Sequence, residues 1–132
     1  MSEFTETSAG MLSADGQLAQ HLDGFSYRKS QQQLCVEIAQ AMEDRAVLIA
    51  EAGTGTGKTY AYLVPALLSG KRVIISTGTK ALQDQLYHRD LPRIKKALSA
   101  PVHTALLKGR SNYLCLYRMQ QGKDETFPNR ET

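Results

Sequence analysis

The sequence predicts an α/β fold, a partial parallel sheet with helices on both faces. Three observations predict it. Short apolar runs recur at 46–50, 72–76 and 102–107, stretches with apolar residues at helical spacing lie between them, and a glycine-rich loop joins the first run to a helix. Strands that alternate with helices imply right-handed crossovers and a mainly parallel sheet.

Taken in chain order, residues 1–14 are polar at their start and are expected to be a mobile N-terminus. A short helix is expected around 17–22, ended by Gly24. Ser30 starts the next helix, in which Leu34, Ile38, Ala41 and Met42 fall on one stripe that runs through Asp44. Residues 46–50 read as a buried strand. Residues 58–69 read as a helix with Gly70 as its stop, and Pro65 predicts a kink or local break inside it. Residues 72–76 form the second strand and 77–79 a turn. Leu82 and Leu86 then mark a helix that runs on to Leu98, disturbed at Pro92. Residues 102–107 are the third strand, 111–120 a helix, and 120–132 a polar tail without periodicity.

Composition bounds the function. A chain of 132 residues is one domain, and 42% apolar with 22% charged residues is the composition of a globular one. No apolar run approaches the roughly 20 residues of a membrane-spanning helix. The first residues carry Glu3 and Glu6 and no basic cluster, which is not a secretory signal, so the expected address is cytoplasmic. Cys35 and Cys115 do not suggest a disulfide framework, and His21, His88 and His103 have no metal-ligand spacing.

The net charge of +3 hides an asymmetry. Residues 1–70 hold four basic and eight acidic side chains, whereas residues 71–118 hold ten basic ones and only Asp84 and Asp90 as acids. So basic a segment is either a footprint for phosphate backbones or a solvated face.

The strongest motif is Ala52-Gly53-Thr54-Gly55-Thr56-Gly57-Lys58-Thr59. It follows the phosphate-loop pattern G-x-x-x-x-G-K-[ST], with Ala52 in its first position. Glycines let such a loop wrap closely, so that backbone N–H groups face phosphate oxygens. Lys58 would reach the β- and γ-phosphates, and Thr59 would set its hydroxyl on Mg²⁺. A helix N-terminus at the end of the loop favours an anion. The alternative is a glycine-rich turn that only joins two elements; Gly-Lys-Thr in register favours the phosphate site. ATP or another nucleoside triphosphate is the expected ligand. The later acidic residues, Asp84, Asp90, Asp124, Glu125 and Glu131, close no apolar strand, so no second half of a metal site is found.

Three segments in order, EAGTGTGKTYAYLVPAL, KRVIISTGTKALQDQLYHRDLP and ALLKGRSNYLCL, resemble the N-terminal part of DinG/YoaA-type ATP-dependent DNA helicases, on the YoaA side of that group. This is the XPD-like branch of superfamily 2. The resemblance runs from about residue 15 to 119. It implies a RecA-like P-loop NTPase fold, here a truncated first motor domain that enters the start of an iron–sulfur domain near 109–119. Gln31, after Arg28, falls where that family reads adenine, and a side-chain amide can both donate to and accept from an adenine edge. Thr77, Thr79 and Gln85 fall in the stretch that touches the backbone of single-stranded DNA; helix capping by either threonine is the plainer reading. Cys115 falls on the first of four ligands to a [4Fe–4S] cluster.

The relatives also carry an Asp-Glu-Ala-His box, three more cluster cysteines and a second motor domain, and none of these motifs occurs here. The resemblance therefore implies a truncated 5′→3′ DNA-repair helicase whose partners are ATP, Mg²⁺ and single-stranded or forked DNA. This chain would hold its nucleotide-binding start, with neither a cluster nor activity alone. The readings from other classes are a stand-alone nucleotide-binding module without motor activity and a small phosphotransferase, which lacks a candidate base and a lid.

Overall fold

The computed structural model describes residues 1–124. Its elements are helices: α1 (Glu3–Met11), α2 (Gln17–His21), α3 (Lys29–Asp44), α4 (Lys58–Leu68), α5 (Lys80–Gln85), a π-helical turn at Leu86–Asp90, α6 (Leu91–Leu98), a 3₁₀ turn at Arg110–Asn112 and α7 (Leu116–Asp124). The expected sheet is absent: among the described residues there is no strand. Residues 46–50, 72–76 and 102–107 run without regular structure, and no backbone hydrogen bond joins one of them to another. The α/β expectation is thereby corrected. Its physical error is specific. Apolar, β-branched composition reports a segment suited to a sheet, but a strand exists only with a neighbour about 4.8 Å away that takes its N–H and C=O groups. Here those groups stay open to solvent, and Val47, Ile49 and Ile74 are each more than 90% exposed.

The helices lie close to where their stripes place them, because each buries an apolar face. The polar first residues form α1, with Ser2 as N-cap: its hydroxyl accepts from Thr5 N–H at 3.1 Å. Thr5 and Ser8 are fully buried under it. Thr5 donates its hydroxyl to Glu43 Oε2 at 2.9 Å, and Gln32 Nε2 donates to the Ala9 carbonyl at 2.9 Å. Two polar bonds thus fasten α1 to α3. Helix α3 ends at Arg45 in the left-handed region (φ 52°), and Lys71 Nζ donates to the Met42 carbonyl there at 3.1 Å.

Pro65 does not break α4. It sits buried inside the helix, where packing outweighs its missing N–H. Pro92 does disturb the next helix, through the π-helical turn just ahead of it. There the Leu91 N–H reaches back to the Leu86 carbonyl, a wider ring than the α-helical one. The core is a helix-on-helix cluster: Leu12, Leu18 and Leu22, Cys35 of α3, Leu63, Val64 and Leu67 of α4, and Ile94 and Leu98 of α6. α3 packs along α4, and α1 packs against both. A cavity of about 250 Å³ opens between α4, the π-helical turn and the extended segments, lined by Leu67, Val73, Ile75, Leu86, Val102 and Leu106. It lies away from the glycine-rich loop.

Leu63 is 1% exposed at the centre of this cluster. Leu63→Ala is expected to lower the unfolding free energy by about 3 kcal/mol, read as a fall in the urea midpoint at unchanged slope.

Candidate functional site

The loop Ala52–Thr59 is gripped from the first turn of α3. Gln31 is 3% exposed, and its Nε2 donates to the Gly57 carbonyl at 2.9 Å. The same carbonyl accepts the Ala61 N–H at 3.3 Å, the first hydrogen bond of α4. Arg28, the N-cap residue of α3, donates its guanidinium to the Gly55 carbonyl. The N-terminal end of α3 therefore fixes two successive odd-numbered carbonyls of the loop.

Only glycine suits position 57. Its φ is +79°, and a Cβ built there would lie 2.2 Å from Gln31 Nε2. Gly55 also has φ +79°, but a Cβ there would meet nothing within 4 Å, as would one on Gly53. The loop is thus tight on its Gln31 side and open on the other.

Within the loop, Thr56 donates its hydroxyl to the Gly53 carbonyl, and Lys58 Nζ donates to the Ala52 carbonyl at 2.6 Å. Thr54 is exposed, and Thr59 is half-buried in the first turn of α4. The N–H groups of that first turn have no intrahelical acceptor, and the exposed Lys58 ammonium stands beside them. Gln31 Oε1 is buried with no hydrogen-bond partner among the described residues, an acceptor left open beside the loop. A triphosphate and its Mg²⁺ fit this donor set: one ammonium, a row of amides and one hydroxyl on the open side.

The second group of predicted residues lies at α5. Thr79 is its N-cap, its hydroxyl accepting from the Leu82 N–H at 3.2 Å, so the capping role holds. Thr77 donates its hydroxyl to the Thr79 carbonyl at 3.4 Å, and Gln85 is exposed at the other end of the helix. The sequence reading passed over Lys108, whose Nζ pairs with Asp84 Oδ1 of α5 at 2.8 Å. A lysine and an aspartate 24 residues apart give no sequence signal.

The two cysteines are unlike. Cys35 is fully buried on α3, and burial pushes its thiol up to about 12. Cys115 is exposed. No group of three or more potential metal ligands occurs among the described residues, and the chain's two cysteines cannot supply the four thiolates of a [4Fe–4S] cluster. No helix among the described residues is long and apolar enough to cross a membrane.

The family model for the DEAD/DEAH box helicases matches residues 28–124. The chain belongs to the DEAD/DEAH box helicase family. The matched span begins at Arg28, the residue that holds Gly55, and takes in the whole loop. The chain is 63% identical over 107 residues to the ATP-dependent DNA helicase YoaA of Escherichia coli, covering 81% of this chain and 17% of that protein. It is 51% identical over 119 residues to the YoaA helicase of Haemophilus influenzae, covering 90% of this chain and 19% of the relative. It is 41% identical over 116 residues to the 3′-5′ exonuclease DinG of Bacillus subtilis, over 85% of this chain and 12% of that one. The chain thus spans less than a fifth of the length of these curated relatives. No solved structure matches it.

Gly57→Ala is expected to unfold the site locally and to lower stability by about 2 kcal/mol through the left-handed backbone and the Gln31 clash together. In a Gln31→Ala background the steric part is gone, so the same substitution should cost distinctly less; thermal melts of the four proteins measure the difference.

Proposed function

We propose that this chain binds ATP with Mg²⁺ through Ala52–Thr59 and is the nucleotide-binding start of an ATP-dependent DNA helicase of the 5′→3′, DNA-repair kind. The observation that carries the reading is the Gln31–Gly57–Lys58 arrangement. A buried amide on α3 holds the loop at the point where α4 begins, and this sets Lys58 and the free amides of the first turn on one open side. The likeness to the YoaA helicases supports the nucleic-acid half of the proposal.

On this reading Lys58 leaves the Ala52 carbonyl and takes the β- and γ-phosphates, a charge-assisted bond in place of a neutral one. The α4 amides of Thr59 and its neighbours accept the remaining charge at the positive end of the helix. Mg²⁺, when bound, neutralises the phosphates, and the Thr59 hydroxyl is the chain's own ligand for it. Gln31 Oε1 accepts from the exocyclic amine of adenine, which pairs an acceptor that is otherwise buried and bare. Thr77, Thr79 and Gln85 touch the phosphate backbone of a single strand without reading its bases. No acidic residue stands at the loop to orient an attacking water, so this chain holds nucleotide but turns it over poorly or not at all. A stand-alone nucleotide-binding module remains the second reading, favoured by the closed helical core that α3, α4 and α6 build without a sheet.

Titration with a fluorescent ATP analogue tests the proposal. Saturable binding is expected, weakened about tenfold or more in Lys58→Ala, since a hydrogen-bonded charge pair is lost. Equal binding by the two proteins would contradict it, as would steady DNA-stimulated ATP turnover by the wild type contradict the inactive part.

A further inference from the structure

Residues 71–118 carry ten basic side chains and two carboxylates, Asp84 and Asp90. Asp90 is buried and paired with its neighbour, Arg89 Nε to Oδ1 at 3.1 Å. Asp84 is therefore the one carboxylate this basic stretch shows to solvent, its side chain half exposed. It is not left open. Its Oδ1 accepts from Lys108 Nζ at 2.8 Å. The bond from Lys108 is the main reason the Asp84 carboxyl lies below the usual carboxylate range, helped by the charges of Lys108 and His88 against a small opposing effect of burial.

Two further bonds lay the Lys108 segment along α5. Gln83 Nε2 donates to the Leu107 carbonyl at 2.9 Å, and the Lys108 N–H donates to the Tyr113 hydroxyl at 2.9 Å. Lys108 is thus delivered to the helix that Thr79 caps and Gln85 ends, with Lys80 and Arg110 exposed nearby in sequence. A solvent-accessible ion pair adds little to stability. What it does change is the charge on offer: the carboxylate oxygen sits where a phosphate oxygen would sit on the same ammonium, and the two anions compete for one donor.

We propose that Lys108 is a phosphate contact for single-stranded DNA and that Asp84 masks it, the carboxylate holding the ammonium until a phosphodiester replaces it. This rests on the reading above that the α5 surface meets a single strand. The mask makes binding selective for a polyanion. One isolated phosphate gains nothing by displacing Asp84, whereas a strand that also engages Thr77, Thr79 and Gln85 does. No bond is made or broken beyond this exchange of one anion for another.

Fluorescence anisotropy of a labelled oligo-dT, read across a salt series, tests it on the full chain. Asp84→Asn is expected to tighten binding about threefold at low salt and to steepen the slope of log K against log salt by about 0.7, one more phosphate neutralised. Lys108→Met should weaken binding and flatten the slope by the same amount. In the Lys108→Met background, Asp84→Asn should have no further effect, and Glu37→Gln on the exposed face of α3 should match the wild type. Circular dichroism confirms that the variants keep their helices. Wild-type binding left unchanged or weakened by Asp84→Asn would overturn the mask alone. So would tightening by Asp84→Asn that persists without Lys108, because that is long-range charge. No binding by any variant would overturn both the mask and the nucleic-acid reading.

Discussion

The contact between the Gln31 amide and the Gly57 carbonyl governs the arrangement of the site, because it joins the helix that opens the nucleotide region to the helix that closes it. The amide is buried, so it must find a partner or cost free energy. It finds one only because residue 57 has no Cβ and accepts a positive φ. Arg28 repeats the hold on Gly55. The loop is therefore shaped by α3 rather than by its own sequence alone, and α3 is itself held from behind by α1, through Thr5–Glu43 and Gln32–Ala9.

That dependence orders the electrostatics. The loop lies in the acidic half of the chain, where its local cations are Lys58 and Arg28. Arg28 is spent on a loop carbonyl, which leaves Lys58 as the ammonium beside the α4 amides, itself resting on Ala52. The basic half is separate. It runs through α5, the π-helical turn and α6, with the Lys108 segment crossing it. Nucleotide and nucleic acid are thereby assigned to different helices, and α4, packed on both α3 and α6, is the element between them.

Much of this was legible in the sequence, for physical reasons that differ by element. The stripe of Leu34, Ile38 and Met42 locates α3 to within a residue, because a helix satisfies its own backbone and needs only a face to bury. The Gly-Lys-Thr register locates the loop, because few residues other than glycine tolerate the backbone found at 55 and 57. The runs at 46–50, 72–76 and 102–107 misled, because apolar periodicity does not reveal whether a neighbour will pair with them. Helix α1 was hidden by its polar surface: it is held by Ser2, Thr5 and Ser8 rather than by a run of leucines. The Asp84–Lys108 pair was hidden by distance along the chain. Residues 125–132, part of the expected polar tail, lie outside the described residues.

The measurement that bears most directly on the central claim is a titration of the ¹⁵N-labelled chain with ATP and Mg²⁺, followed amide by amide. The account predicts that the largest shifts fall on Gly53–Thr59 and on the Gln31 side-chain NH₂, with α6 unmoved. Shifts confined to the cavity lined by Val73 and Val102, or none at the loop at saturating nucleotide, would contradict it.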